Sequence, residues 1–235
     1  SSDLPTCEFK GWFVHPSKLG YNGFCMALNT NKKTIRILFI HGGMTFKRQT
    51  DYLKFLQTMD LSFEKKKRWS REYLTEKLGK RFEVLRPDMP LKFYAKYEDW
   101  SILFERYLKL LNAPYMLIGH SLGGIFLAKY LSEHKLSKKP MAVYLVASPF
   151  DDTLLGEDLA GGFKLKSDLS LLEKNTPRLR LFFSKDDDCV PISHANKFAK
   201  KLSQAEIAIY HHRGHFNVPT FPEIIKKIRK DAEAV

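Results

Sequence analysis

Six short apolar runs, each stopped by glycine, proline or a polar turn, alternate along the chain with stretches whose apolar residues recur at helical spacing. Ile35-Arg36-Ile37-Leu38-Phe39-Ile40 is β-branched and apolar and stops at His41-Gly42-Gly43, a pattern that predicts a central strand. Residues 83–86, stopped by Pro87 and Pro90, predict a second, and 115–118, ending at Gly119, a third. Residues 141–147, 178–184 and 206–210 complete the set. Helical spacing appears over 70–80, with Tyr73, Leu74 and Leu78 on one face, and again through Trp100, Leu103, Phe104, Tyr107, Leu108 and Leu111. It recurs over 122–136, 193–202 and 221–230, where Pro222 suits a first helical turn. Strands alternating with helices predict an α/β fold, a mostly parallel sheet with helices on both faces.

Two stretches stand outside the alternation. Residues 44–69 are aromatic and basic and read as a loop with a helix over 50–59. Residues 151–176 contain Gly156, Gly161 and Gly162 and follow the fourth strand. An insertion there lies above the carboxyl ends of the strands, where such sheets bind ligands. It is expected to form a small cap or part of a substrate wall.

The chain has 235 residues, 44% of them hydrophobic, which suits one domain over 1–235 with a core that needs no metal or disulfide. No apolar run approaches the ~18 residues of a membrane span, and Ser1 to Pro5 lack the basic and apolar regions of a signal peptide. Cys7, Cys25 and Cys189 are odd in number and widely separated, so they read as reduced thiols and point to a cytoplasmic location rather than to a zinc site or disulfide scaffold. The formal charge of +13 would attract phosphate backbones or acidic surfaces. Its densest run, Lys65-Lys66-Lys67-Arg68, lacks any accompanying nucleic-acid motif and reads as solvated surface.

Candidate chemistry centres on Gly119-His120-Ser121-Leu122-Gly123, followed by Gly124. This G-x-S-x-G stands where a buried strand hands over to a helix, the context of a nucleophile elbow. The serine needs a base. His134 is carried away along the helix, His194 reads as a surface residue, and His211 and His212 end the last strand. His215, in Arg213-Gly214-His215-Phe216, follows that strand in a loop that brings an imidazole over the sheet edge; it is the expected base, with His211 or His212 behind it. The orienting carboxylate is expected at Asp187 in Lys185-Asp186-Asp187-Asp188-Cys189, with Asp186, Asp188, Asp151 and Asp152 as rivals. One oxyanion donor is expected at the Leu122 N–H and a second at Gly43 or Met44, each worth about 3–4 kcal/mol in the transition state. Met44, Phe46, Phe150 and the Leu154-Leu155 pair read equally as an acyl wall or as ordinary packing, and Met44 and Phe150 are the expected substrate contacts.

With these motifs in the order serine, acid, histidine, the chain resembles the α/β-hydrolase superfamily, in particular its small, nearly lidless serine hydrolases. The resemblance runs from Ile35 to Phe216. It implies a mostly parallel sheet of about eight strands, with segments 9–14 and 24–28 as loose candidates for edge strands, and cofactor-free hydrolysis. It carries over Ser121 as nucleophile, Asp187 as acid, His215 as base, and Gly43 with Leu122 as oxyanion donors. The expected activity is cleavage of small-molecule carboxylic esters of short or medium acyl chain, with thioesters and lactones compatible, and no nucleic acid required. The alternative is a non-catalytic binding or regulatory protein that keeps the fold and uses its basic surface; a blocked pocket would favour it.

Overall fold

The computed structural model describes residues 33–112 and 114–233, which belong to the larger, Lys32–Val235, of the two units into which the chain divides. Six strands, β1 (Ile35–Ile40), β2 (Phe82–Leu85), β3 (Tyr115–His120), β4 (Val143–Val146), β5 (Leu179–Ser184) and β6 (Glu206–Tyr210), form one sheet in the order β2-β1-β3-β4-β5-β6. Every neighbouring pair is parallel. The class matches the expectation, and the count of about eight strands is corrected to six among the described residues. Segments 9–14 and 24–28 lie outside them.

Between the strands run α1 (Gln49–Thr58), α2 (Leu74–Leu78), α3 (Tyr97–Leu110), α4 (Leu122–Glu133), α5 (Ser170–Asn175) and α6 (Ser193–Ala199), and α7 (Pro222–Glu233) follows β6. Strand side chains alternate between faces, and β1 divides accordingly. Leu38 and Ile40 join Trp100, Phe104, Phe126 and Phe198 under α3, α4 and α6. Ile37 and Phe39 join Trp69, Leu74, Ile224 and Ile228 under α2 and α7. Helix α4 is enclosed on all sides: Leu122 through Leu131 are all buried, as suits a stretch that is apolar except for Lys129. Its one cation there, Lys129, is held by Glu133 Oε1 at 2.8 Å and the Lys164 carbonyl at 2.9 Å.

The helix expected over 70–80 is broken. Trp69–Tyr73 is a wide turn with Arg71 at φ −100°, ψ −116°, and only Leu74–Leu78 is α-helical. The Arg86 guanidinium causes the departure: it binds the Ser70 carbonyl at 2.7 Å and the Arg71 carbonyl at 2.8 Å, engaging acceptors that a regular helix would use internally. Residues 151–176 lie against the body of the unit. Thr45 bridges to Asp158, and Phe163 is fully buried edge-on to Trp100. No helix among the described residues is long and apolar enough to cross a membrane.

The chain leaves β1 for β2 on one side and returns to β3 on the other. Such a reversal opens a crevice at the carboxyl ends of the two central strands. Gly42-Gly43 leaves β1 there, and Ser121 leaves β3.

Candidate functional site

Ser121 adopts φ 55°, ψ −123°, a backbone region that costs on the order of 1–3 kcal/mol for a residue with a side chain and persists only where surroundings enforce it. Two close approaches enforce it here. A methyl group on Gly119 would stand 2.3 Å from the Gly123 carbonyl oxygen, and one on Gly123 would stand 2.3 Å from that of Ile40. Strand, turn and helix are therefore packed backbone to backbone, and the Ser121 N–H donates to the Val146 carbonyl at 2.8 Å. The N-terminus of α4 opens directly after the serine, a position that favours negative charge.

His215 lies in the loop after β6. Its Nδ1 is 3.0 Å from both carboxylate oxygens of Asp187, and the Asp187 carboxylate also accepts the N–H groups of Cys189 at 2.9 Å and Val190 at 2.8 Å. Nδ1–H therefore donates to the carboxylate, which in the neutral ring leaves the lone pair on Nε2. The neighbouring aspartates do other things. Asp186 Oδ1 accepts from Ser184 Oγ at 2.5 Å, Gly214 N at 2.9 Å and Arg213 N at 3.2 Å, bracing the loop that carries His215. Asp188 is exposed. Asp151 is occupied by Lys197, which approaches its two oxygens at 2.8 and 2.7 Å. Sequence reasoning missed the role of Asp186; Gly214, two residues beyond His212, was the available hint of a tight turn that needs bracing.

The turn and the histidine loop are joined through His120, whose Nε2–H donates to the His215 carbonyl at 2.9 Å with the two rings 5.2 Å apart. Burial, reinforced by the His215 charge, pushes the His120 pKa down to about 3. Burial likewise lowers His41, whose Nδ1–H donates to the Gly42 carbonyl while Nε2 accepts the Met89 N–H. His194, expected on the surface, is fully buried between the Phe150 N–H and the Thr153 carbonyl, with its pKa lowered by burial. A histidine kept neutral by the fold takes up its proton only on unfolding. Stability is therefore complete above pH 6.5 and falls as pH drops toward the folded value, at about 1.4 kcal/mol per unit for His120. Urea melts should show His120→Gln sparing about 2 kcal/mol of the loss between pH 6.5 and 5. Equal losses in the two chains would show that His120 titrates normally.

Gly43 and Leu122 approach each other closely. A methyl group on Gly43 would lie 2.7 Å from the Lys92 carbonyl oxygen and 3.2 Å from Leu122 Cδ2. Among the described residues, neither the Gly43 nor the Leu122 N–H has a hydrogen-bond partner, whereas the Met44 N–H donates to the Lys92 carbonyl at 2.9 Å. Of the two sequence candidates for a second free donor, Gly43 is the one available.

A cavity of about 10 Å³ opens beside Ser121, lined by Gly43, Thr45, Leu154, Glu157, Asp158 and Leu159. It has room for about one water. A larger one of about 370 Å³ shares Thr45, Glu157 and Asp158 with it and adds Met44, Phe46 and Gly156. Met44 therefore lines the outer cavity, not the one at the serine. Phe150 lines neither: its ring packs edge-on to Phe198 at 5.0 Å, because the turn after β4 is pinned to His194. Leu154 faces the serine cavity while Leu155 is exposed. His134 stacks on Tyr130, and His211 and His212 are exposed. Cys189 is a free buried thiol, and Cys7 and Cys25 lie outside the described residues.

A family model described as serine hydrolase matches residues 63–223. The chain belongs to the serine hydrolase family. The match spans the turn at Ser121, the Asp187 loop and His215, so this serine hydrolase carries within the matched region every element of the geometry above except the Gly43 loop. A curated relative, the hydrolase YdeN of Bacillus subtilis (strain 168), is 28% identical over 134 residues, 55% of this chain and 67% of the relative. The solved structure of the B. subtilis ydeN gene product superposes with a TM-score of 0.66 at 19% identity, covering 85% of this chain and all of that one. Est1E from Butyrivibrio proteoclasticus gives 0.56 at 17% identity, with 88% and 92% covered, and has also been solved with ferulic acid bound.

Proposed function

We propose that this hydrolase cleaves carboxylic esters through an acyl-enzyme on Ser121. The observation that carries the reading is the Asp187–His215 pair, held by the His120–His215 bond beside a serine in a strained turn. Ser121 Oγ attacks the acyl carbon and its proton passes to His215 Nε2, while the Asp187 carboxylate stabilises the imidazolium through Nδ1–H. The carbonyl oxygen gains the negative charge and receives hydrogen bonds from the N–H groups of Gly43 and Leu122. Collapse of the tetrahedral adduct breaks the bond to the alcohol, which takes the proton from His215. Water, giving its proton to His215, then attacks the acyl-enzyme, and the acid leaves as Ser121 regains its proton.

Leu154 and Leu159 close the space at Ser121 to about the size of one water, so these side chains must move for any acyl group to enter, and a short one requires the smallest movement. That Est1E, a neighbour in fold, holds a carboxylic acid agrees with an ester substrate. Treatment with a fluorophosphonate, followed by mass spectrometry of the peptides, should give one adduct, on Ser121, that disappears in Ser121→Ala. p-Nitrophenyl acetate should be turned over faster than the octanoate. A folded, monodisperse sample that takes no label would overturn the reading in favour of a non-catalytic protein.

A further inference from the structure

The basic run that reads as solvated surface in the sequence lines a concavity in the fold. Lys65, Lys66, Lys67, Arg68 and Arg71 surround a cavity of about 700 Å³ whose remaining wall includes Tyr73 and Thr220. Five cations face only two carboxylates, Glu72 and Glu76. Among the described residues none of the five forms an ion pair; Arg68 donates instead to the neutral amide oxygen of Asn217. Burial, then the neighbouring Arg71 charge, lowers the pKa of the Arg68 guanidinium.

Five cations against two carboxylates leave an excess of like charge, which repels, and the surrounding structure holds the 69–71 segment in place. The buried Trp69 donates its N–H to the Val218 carbonyl at 2.8 Å and its indole N–H to the Phe216 carbonyl at 3.0 Å. Arg86 fixes the carbonyls of Ser70 and Arg71 from the other side. The backbone that presents Arg68 and Arg71 is therefore braced before any ligand arrives, which lowers its ordering cost on binding, while Lys65, Lys66 and Lys67 stand exposed at the rim. The volume falls in the range of about 300–1,000 Å³ usual for small-molecule sites.

We propose that this cavity binds a small molecule bearing a phosphate or pyrophosphate group. Its bounded, concave form suits a compact anion, whereas a nucleic acid strand would track an extended basic groove. The site adjoins the catalytic loop proposed above: Trp69 touches the His120 ring at 6.5 Å, edge-on, and its two hydrogen bonds end on the residues that follow His215. Binding in this cavity requires no ester hydrolysis at Ser121.

Calorimetric titration of the Ser121→Ala chain with pyrophosphate, at about 0.15 M salt where longer-range attraction is largely screened, tests it without turnover. Saturable binding at one site is expected, weakened at least about tenfold, or about 1.4 kcal/mol, in Lys66→Ala/Arg71→Ala. Lys65→Ala/Lys67→Ala should weaken it too. Lys200→Ala/Lys201→Ala, at the end of α6, should not. Absence of saturable binding, or equal weakening by the α6 pair, would overturn the proposal. So would a single-stranded oligonucleotide that binds and is not displaced by pyrophosphate.

Discussion

Ser121→Ala is expected to lower kcat on p-nitrophenyl acetate by a factor on the order of 10⁵–10⁶, with the melting temperature nearly unchanged. Under the proposed mechanism the loss is large because the Ser121 hydroxyl forms the acyl-enzyme. The fold is spared because the strained φ of 55° is imposed by Gly119, Gly123 and the Val146 carbonyl, none of which the side chain holds. If serine and imidazole act as one unit, as proposed, His215→Ala should cost nearly as much, and the double variant should be little worse than either alone. Asp187→Asn should fall short of both by an order of magnitude or more. It keeps the shape of the side chain but loses the charge that stabilises the imidazolium. Steady-state rates of the four chains check this. Additive losses from Ser121→Ala and His215→Ala would mean that the two side chains do not share a proton.

Asp231→Ala is expected to cost about 3–5 kcal/mol of stability at neutral pH, read as a fall in the urea midpoint at unchanged slope. Asp231 is buried on α7 and accepts Arg180 Nε at 2.7 Å, Arg180 Nη2 at 2.5 Å and the Tyr144 hydroxyl at 2.6 Å. It thereby anchors α7 to β4 and β5. Burial raises the Asp231 pKa, but the bonds from Arg180 and Tyr144 outweigh it and hold the carboxyl below its usual range. Its contribution is therefore present above about pH 4 and lost as pH falls through the folded value. Removing the carboxylate leaves the Arg180 guanidinium with Glu206 as its one carboxylate and the Tyr144 hydroxyl with only the weak acceptor Met116 Sδ at 3.9 Å. Arg180→Met/Asp231→Leu should be less damaging than Asp231→Ala, because it removes both charges together. A double variant as unstable as the single one would show that packing, not the stranded charge, sets the cost.

Much of the site is legible along the chain because its parts are local. The G-x-S-x-G sequence needs its glycines at fixed offsets around one turn, so Gly119, Ser121 and Gly123 announce themselves. The order of serine, acid and histidine then directs attention to the loops after β5 and β6. Choosing among Asp186, Asp187 and Asp188 is different in kind. Successive residues in a loop point in different directions, and only the approach of the β6–α7 loop decides which carboxylate meets His215 and which one meets the N–H of Gly214. The broken helix at Trp69–Tyr73 has the same origin, since Arg86, from the end of the next strand, competes for its carbonyls.

The amino-acid sequence by itself determined the alternation of strands and helices, the strained serine turn and the candidates for its partners. Each of these depends on residue type and spacing within a few positions, the range over which backbone sterics and side-chain periodicity act. Only the tertiary structure decided that His194 is buried, that Phe150 turns away from the serine, and that Gly43 keeps its N–H free while Met44 does not. It alone also gathered the solvated-looking run at 65–68 into a cavity beside the His215 loop. These outcomes depend on which distant segment arrives at each group, and burial, hydrogen-bond competition and the meeting of charges are set by that arrival.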